Sequence, residues 1–169
     1  MSQIASLNLI LFILFLWSFA VLLFFYFRYY LAFGSYKSDA AANAEAVSVI
    51  VAAKNEAGNL QNFLPLILNQ KYANFELLVV DDHSSDNSLQ VLEALASQYP
   101  NLSYYRQEKT KVGKKAAIQK AIQKAKNDLL LFIDADCYPS SRNWIQMMAD
   151  SCKGDIQIVL GYGRYEKTD

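Results

Sequence analysis

The sequence predicts an α/β fold with a mostly parallel sheet flanked by helices, preceded by one N-terminal transmembrane helix. Three observations carry this expectation. An uncharged apolar run, Ile4 to Phe27, opens the chain. From Val47 onward, β-rich apolar runs alternate with stretches of helical periodicity, the mark of βαβ units. Two of the apolar runs, FELLVVDD (Phe75 to Asp82) and LLLFIDAD (Leu129 to Asp136), end in paired carboxylates.

At 1.5 Å per residue the N-terminal run reaches about 36 Å, enough to cross a hydrocarbon layer of about 30 Å. A secretory signal would carry a basic start and a shorter apolar core, and no Lys or Arg precedes this run. Arg28 and Lys37 follow it, with Tyr26, Tyr29 and Tyr30 as interface anchors. The positive-inside rule then places the C-terminal side in the cytoplasm, as a single-pass membrane protein. The expected organisation is a transmembrane helix over 4–31, a small polar linker over 32–46, and an incomplete ligand-binding domain over 47–169.

Within the domain, Val47 to Ala53 reads as the first strand. Leu60, Phe63, Leu64, Ile67 and Leu68 recur at helical spacing. Pro65 belongs either in that helix's first turn or at a kink. Phe75 to Val80 is the second strand, and Ser85 or Asp86 is the expected cap of a helix carrying Leu89, Leu92 and Leu95. A third strand spans Leu102 to Arg106. Gly113 to Lys126 forms a helix with Ala117, Ile118, Ala121, Ile122 and Ala125 on one stripe. Leu129 to Ile133 is the fourth strand. Trp144, Ile145 and Met148 mark a last helix, and Ile156 to Leu160 a fifth strand.

Charge balances, with 16 basic and 16 acidic residues, which excludes a dedicated nucleic-acid binder. Cys137 and Cys152 would face a reducing compartment and serve as small apolar residues. One histidine, His83, and no metal-type cysteine spacing argue against zinc.

Ligands of open α/β sheets bind at the carboxyl ends of the strands, where both carboxylate pairs are expected. Asp134 and Asp136 are two apart, so on an extended chain their side chains point the same way. Such oxygens suit a hard divalent cation, Mg²⁺ or Mn²⁺, with open positions for a ligand's phosphates. Local turn chemistry is the competing explanation for both pairs, because Asp, Ser and Asn favour turns. Lys109, Lys111, Lys114 and Lys115 are phosphate candidates. Lys114 is the best placed, after Gly113 at a helix start. Lys120, Lys124 and Lys126 read as a solvated face. His83 reads as a loop residue.

Four segments occur in order at suitable spacing: VSVIVAAKNEAGNL (Val47 to Leu60), FELLVVDDHSSDNS (Phe75 to Ser88), GKKAAIQKA (Gly113 to Ala121) and LLLFIDADCYP (Leu129 to Pro139). Together they resemble a family 2 glycosyltransferase, over Val47 to Asp169. The resemblance implies a GT-A-like, Rossmann-type nucleotide-sugar-binding domain. It implies that Ala52, Lys54 and Glu56 meet the nucleoside and that Asp82, with Asp81 beside it, meets the uracil ring of a UDP-sugar. It further places Lys114 near the diphosphate, Asp134 near the ribose and donor, and Asp136 on the metal. The implied reaction is inverting transfer of a sugar to an acceptor hydroxyl, the acceptor being a glycan or a lipid-linked molecule.

Some positions depart from the family pattern. The first strand lacks the proline common before Asn-Glu, and Ile118-Gln119 replaces Leu-Asn. The family's catalytic base and its Gln-x-x-Arg-Trp-like acceptor segment lie beyond the Asp-x-Asp. No Glu-Asp pair or Arg-Trp motif follows Asp136, and Asp150, Asp155, Glu166 and Asp169 lack the motif context. The expectation is a donor-binding half, either an incomplete copy or a piece of a longer enzyme, not active in transfer alone, with a protein partner covering the missing half. The alternative is an inactive membrane-anchored remnant or interaction module. A response-regulator receiver domain is disfavoured by the strand–helix unit before Phe75 and the missing Lys-Pro ending. A haloacid-dehalogenase-type phosphatase would not follow its Asp-x-Asp with Cys137 and Tyr138. A dinucleotide site would need Gly-x-Gly-x-x-Gly where Ala53-Lys54-Asn55-Glu56 stands.

Overall fold

The structure is a computed structural model that describes residues 2–30, 45–108 and 113–163. The chain divides into two compact units, Met1–Ser38 and Asp39–Asp169. The expected linker over 32–46 falls almost wholly outside the described residues, as do Lys37, Lys109, Lys111, Glu166 and the side chain of Tyr30.

Among its described residues the first unit contains one helix, α1 (Ser2–Tyr30). Its stretch Ser6–Tyr29 has a mean hydropathy of 2.7 and is not buried by protein at all. Its one described hydroxyl at mid-length, Ser18, donates to the Phe15 carbonyl at 3.0 Å, which satisfies that group within the helix. Length and composition suit a membrane span, and a leader sequence shares both properties.

The second unit is built on β1 (Val47–Ala53), β2 (Phe75–Asp81), β3 (Leu102–Arg106) and β4 (Leu129–Phe132). The strands lie in the order β3-β2-β1-β4, and every pairing is parallel. The connecting helices are α2 (Ala57–Leu68), α3 (Ser88–Ala96) and α4 (Lys114–Lys124), with α5 (Trp144–Ser151) after β4.

Alternate residues of the two central strands serve two separate cores. Val47, Val49, Val51, Leu77 and Val79 pack with Leu60, Leu64, Ile67, Leu92 and Ile145 of α2, α3 and α5. Ile50, Leu78 and Val80 face the other way, against Ala117 and Ala121 of α4. A strand buried on both faces has no polar side, which is why β1 and β2 read as apolar runs interrupted internally only by Ser48 and Glu76, which bond to each other. The chain moves from β1 outward to β3, then crosses back to place β4 on the far side of β1. That reversal opens a crevice at the carboxyl ends of β1 and β4.

Several boundaries depart from the sequence reading, each for a physical reason. Residues 156–163 form no strand, and Ile158, Leu160 and Tyr162 are 80%, 85% and 92% exposed. A strand exists only with a hydrogen-bonded neighbour, and none of the described residues pairs with this segment. α4 stops at Lys124, short of Lys126. The buried Glu76 carboxylate accepts from the Lys126 N–H at 2.7 Å, and Ser48 Oγ accepts from the Asn127 N–H at 3.2 Å, pulling the chain out of the helix. Pro65 sits in the last turn of α2, not the first. The residue capping α3 is Asn87, with no side-chain capping bond. Asp86 instead joins two helix starts, accepting from the Ser88 N–H at 3.0 Å and the Ala57 N–H at 3.1 Å.

Candidate functional site

The carboxyl ends of β1, β2 and β4 surround a cavity of about 320 Å³. Seven of the eight site residues expected from the sequence line it: Ala52, Lys54, Glu56, Asp82, Lys114, Asp134 and Asp136. The eighth, Asp81, does not.

The parity of β2 explains the split between the two adjacent aspartates. Asp81 continues the row of Leu77 and Val79, while Asp82 continues that of Leu78 and Val80, toward α4. Asp81 has no solvent exposure. Its carboxylate accepts from the Ser84 N–H at 3.2 and 3.3 Å and lies 3.4 Å from Arg106 Nε. Asp82 Oδ1 accepts from the Gly113 N–H at 2.7 Å, and its Oδ2 is 3.6 Å from Lys54 Nζ. Gly113 holds φ +124°, a conformation closed to side-chain-bearing residues, so α4 can begin beneath Asp82 only with glycine there.

Asp134 and Asp136 reach the cavity differently than an extended strand would bring them. β4 ends at Phe132, and a turn closed by the Cys137 N–H on the Asp134 carbonyl at 3.0 Å carries both carboxylates. Past that turn, Tyr138 packs on Phe63 of α2, ring centroids 4.9 Å apart. Lys114 Nζ donates to Asp134 Oδ1 at 2.7 Å. That hydrogen bond, outweighing partial burial, holds the Lys114 ammonium protonated above its ordinary range. Partial burial and then the adjacent Asp136 carboxylate push the Cys137 thiol up, so it stays protonated at neutral pH.

Two loops form the wall around Lys54 and Glu56. Asn55 and His83 both adopt left-handed backbone, φ 57° and 59°. The Asn55 N–H donates to Ser84 Oγ at 2.8 Å, and the Ser85 N–H donates to Asn55 Oδ1 at 2.8 Å. Ser88 Oγ accepts from the Glu56 N–H at 3.1 Å. Sequence reading missed Asn55, Ser84, Ser88 and Arg106. The serine-rich turn string after Asp82 was the available signal for two of them; Arg106 carried none beyond ending a strand. His83 does not line the cavity.

A divalent cation fits this donor set in one way. Among the described residues no three His, Cys, Asp or Glu side chains cluster to hold a metal unaided. Asp136 lines the cavity with a hard oxygen donor, whereas Asp134 is occupied by Lys114. Few protein oxygens and many open positions suit Mg²⁺ or Mn²⁺ shared with a ligand's phosphates.

A parallel sheet with its crevice at the β1/β4 reversal and a carboxylate-and-lysine lining defines a nucleotide-binding α/β domain of GT-A type. The chain belongs to glycosyltransferase family 2: the family model described as "Glycosyl transferase family 2" matches residues 48–168. It is 31% identical over 117 residues to glycosyltransferase AglE of Haloferax volcanii, covering 68% of this chain and 38% of that protein. Among solved structures it resembles the mannosyltransferase PcManGT from Pyrobaculum calidifontis in complex with GDP-Man and Mn²⁺. That match has TM-score 0.67 and 25% identity, over 81% of this chain and 41% of the other. S. aureus TarS 1-349 in complex with UDP-GlcNAc matches with TM-score 0.55 and 28% identity, over 63% of this chain and 31% of TarS 1-349. The chain thus spans about two fifths of AglE and of the mannosyltransferase.

Proposed function

We propose that this chain binds a nucleoside-diphosphate sugar together with one divalent cation, in a domain tethered to the cytoplasmic side of a membrane by α1. The charge lining the cavity carries the reading. Lys54 and Lys114 already face carboxylates, while Glu56, Asp82, Asp134 and Asp136 outnumber them. A diphosphate could not enter so acidic a site alone, and a cation on Asp136 would offset both charges. When bound, the cation supplies charge stabilisation at the departing nucleoside diphosphate. Lys114 is placed to turn from Asp134 to a phosphate oxygen, freeing Asp134 for the ribose and donor.

A uridine donor suits Asp82 better than a guanosine. One of its oxygens is committed to the Gly113 N–H, leaving the other for the cavity. Uracil presents a single ring N–H between carbonyls, which Lys54 beside Asp82 can complement. Guanine presents two adjacent donors and would need the whole carboxylate.

Inverting transfer to an acceptor hydroxyl, on a glycan or a lipid-linked molecule, is the reaction this donor site would serve. The carboxylates lining the cavity are all taken up by donor and cation, so the base and the acceptor groups would come from elsewhere. A partner polypeptide is one source. The outer edge of β4 borders a second cavity of about 350 Å³ lined by Leu129, Leu131, Met148 and Val159, beside the exposed Ile158 and Leu160. An open edge with apolar flanks favours association, and the same feature supports the alternative of a non-catalytic interaction module.

Calorimetric titration of UDP into the detergent-solubilised chain, with and without Mn²⁺, tests the donor reading. Metal-dependent binding lost in Asp136→Ala is expected; a folded chain that binds no nucleotide would refute it. Sugar transfer by the purified chain alone would overturn the placing of base and acceptor groups outside these 169 residues. A C-terminal tag cleaved by protease from the non-cytoplasmic face would refute the orientation.

A further inference from the structure

Arg106 lies outside the cavity, at the end of β3, yet four contacts connect it to the cavity wall. It is the register partner of Asp81 across the β2–β3 pair. Its Nε stands 3.4 Å from Asp81 Oδ2, and its Nη2 donates to the Ser84 carbonyl at 3.0 Å. Ser84 is thereby gripped from two sides, because its own N–H donates to the same Asp81 carboxylate at 3.2 Å. Ser84 Oγ then accepts from the Asn55 N–H at 2.8 Å. Asn55 separates Lys54 from Glu56, and Ser84 follows Asp82 by two residues, so the relay ends on the three charged groups of the nucleoside side.

The two left-handed residues, Asn55 and His83, lie in the same two loops. Such backbone is uncommon for residues other than glycine and persists where surrounding contacts over-determine it. The relay supplies those contacts. Lys114, Asp134 and Asp136 hang instead on α4 and on the turn after β4, which Phe63 and Tyr138 clasp.

We infer that Arg106 is a positioning residue that, through Asp81, Ser84 and Asn55, sets the nucleoside-facing wall of the donor site without touching the ligand. The inference rests on the donor-binding reading and adds to it a selective effect: nucleoside recognition depends on Arg106, diphosphate and metal recognition does not.

Calorimetry on the full chain in detergent separates the two, using UDP with Mn²⁺ and pyrophosphate with Mn²⁺ as probes. Arg106→Gln is expected to weaken UDP about tenfold, the loss of one well-made hydrogen-bonded contact, while pyrophosphate stays within about twofold. Arg106→Lys, which keeps the charge but loses the fork, should recover part of the UDP affinity. Ser84→Ala, which removes the hydroxyl that accepts from the Asn55 N–H, should reproduce the selective loss, and it decides the matter if Arg106→Gln does not fold. Equal losses on both probes would mean general destabilisation and overturn the inference, as would unchanged UDP affinity in a folded variant. A wild-type chain that binds neither probe would refute the donor reading itself, and with it this inference. Binding by wild type with insensitive variants would refute the inference alone.

Discussion

Two apolar strands of this chain run into paired aspartates, and the two pairs end in opposite surroundings. Asp81 and Asp82 close β2, a strand flanked on both sides, and are 0% and 4% exposed. Asp134 and Asp136 follow β4, the edge strand, and both are exposed. Buried carboxylates must be satisfied by the protein, so Asp81 is bound to Ser84 and Arg106, and Asp82 to Gly113. Exposed ones keep their oxygens for exchange, and Asp134 meets only the exposed Lys114 ammonium. The same local chemistry therefore yields, at the end of β2, a fixed Asp81 beside an Asp82 that keeps one oxygen for the cavity, and after β4 a pair open to solvent.

The comparison can be broken or sharpened by substitution. Asp136→Ala should lower Mn²⁺-dependent UDP affinity on the order of 100-fold by calorimetry, while shifting stability by less than about 0.5 kcal/mol. Asp81→Ala should cost about 2 kcal/mol in urea unfolding through the lost buried bonds, with a UDP loss of about the tenfold expected of Arg106→Gln. If both variants lost stability equally, the division into a fixed Asp81 and an open pair would fail. Gly113→Ala, which forces a side chain onto φ +124°, should cost about 1 kcal/mol or more and weaken nucleotide binding through Asp82.

Titration gives the smallest effects. The Lys114 ammonium is held above its ordinary range by Asp134, so its contact is fully present below the unfolded pKa of about 10.4. It is lost only as pH rises through the higher folded value. UDP binding between about pH 6 and 9 should therefore show no step from Lys114. Asp86 has the opposite sign. Its hydrogen bond with Ser88 holds the carboxyl below its ordinary range, so its stabilisation is present above the unfolded value of about 3.9 and is lost as pH falls through the folded one. Asp86→Asn should flatten part of the acid limb of thermal unfolding, because Asp86 joins the starts of α2 and α3.

Much of this was legible along the chain. The limits of β1 and β3 were legible from short runs rich in β-branched and aromatic residues, bounded by polar segments. Seven cavity-lining residues could be picked out by motif because six sit at or just past strand ends and Lys114 opens α4 after Gly113. The eighth could not: Asp81 and Asp82 are alike in sequence, and only the side of the sheet each faces separates them. Ile156 to Leu160 has the composition of a strand, but composition cannot supply a neighbour. The end of α4 was equally hidden, since it is set by Glu76 and Ser48 on two other strands.

By itself, then, the sequence determined the apolar helix, the alternation of strands and helices, and the delivery of carboxylates and a lysine to the carboxyl edge. Those features follow from periodicity and local chemistry, which act within a few residues. Tertiary structure alone decided which aspartate became frame and which stayed open to ligand, and joined Arg106 to a cavity it does not line. These depend on strand order and burial, which arise from contacts between residues far apart in the chain.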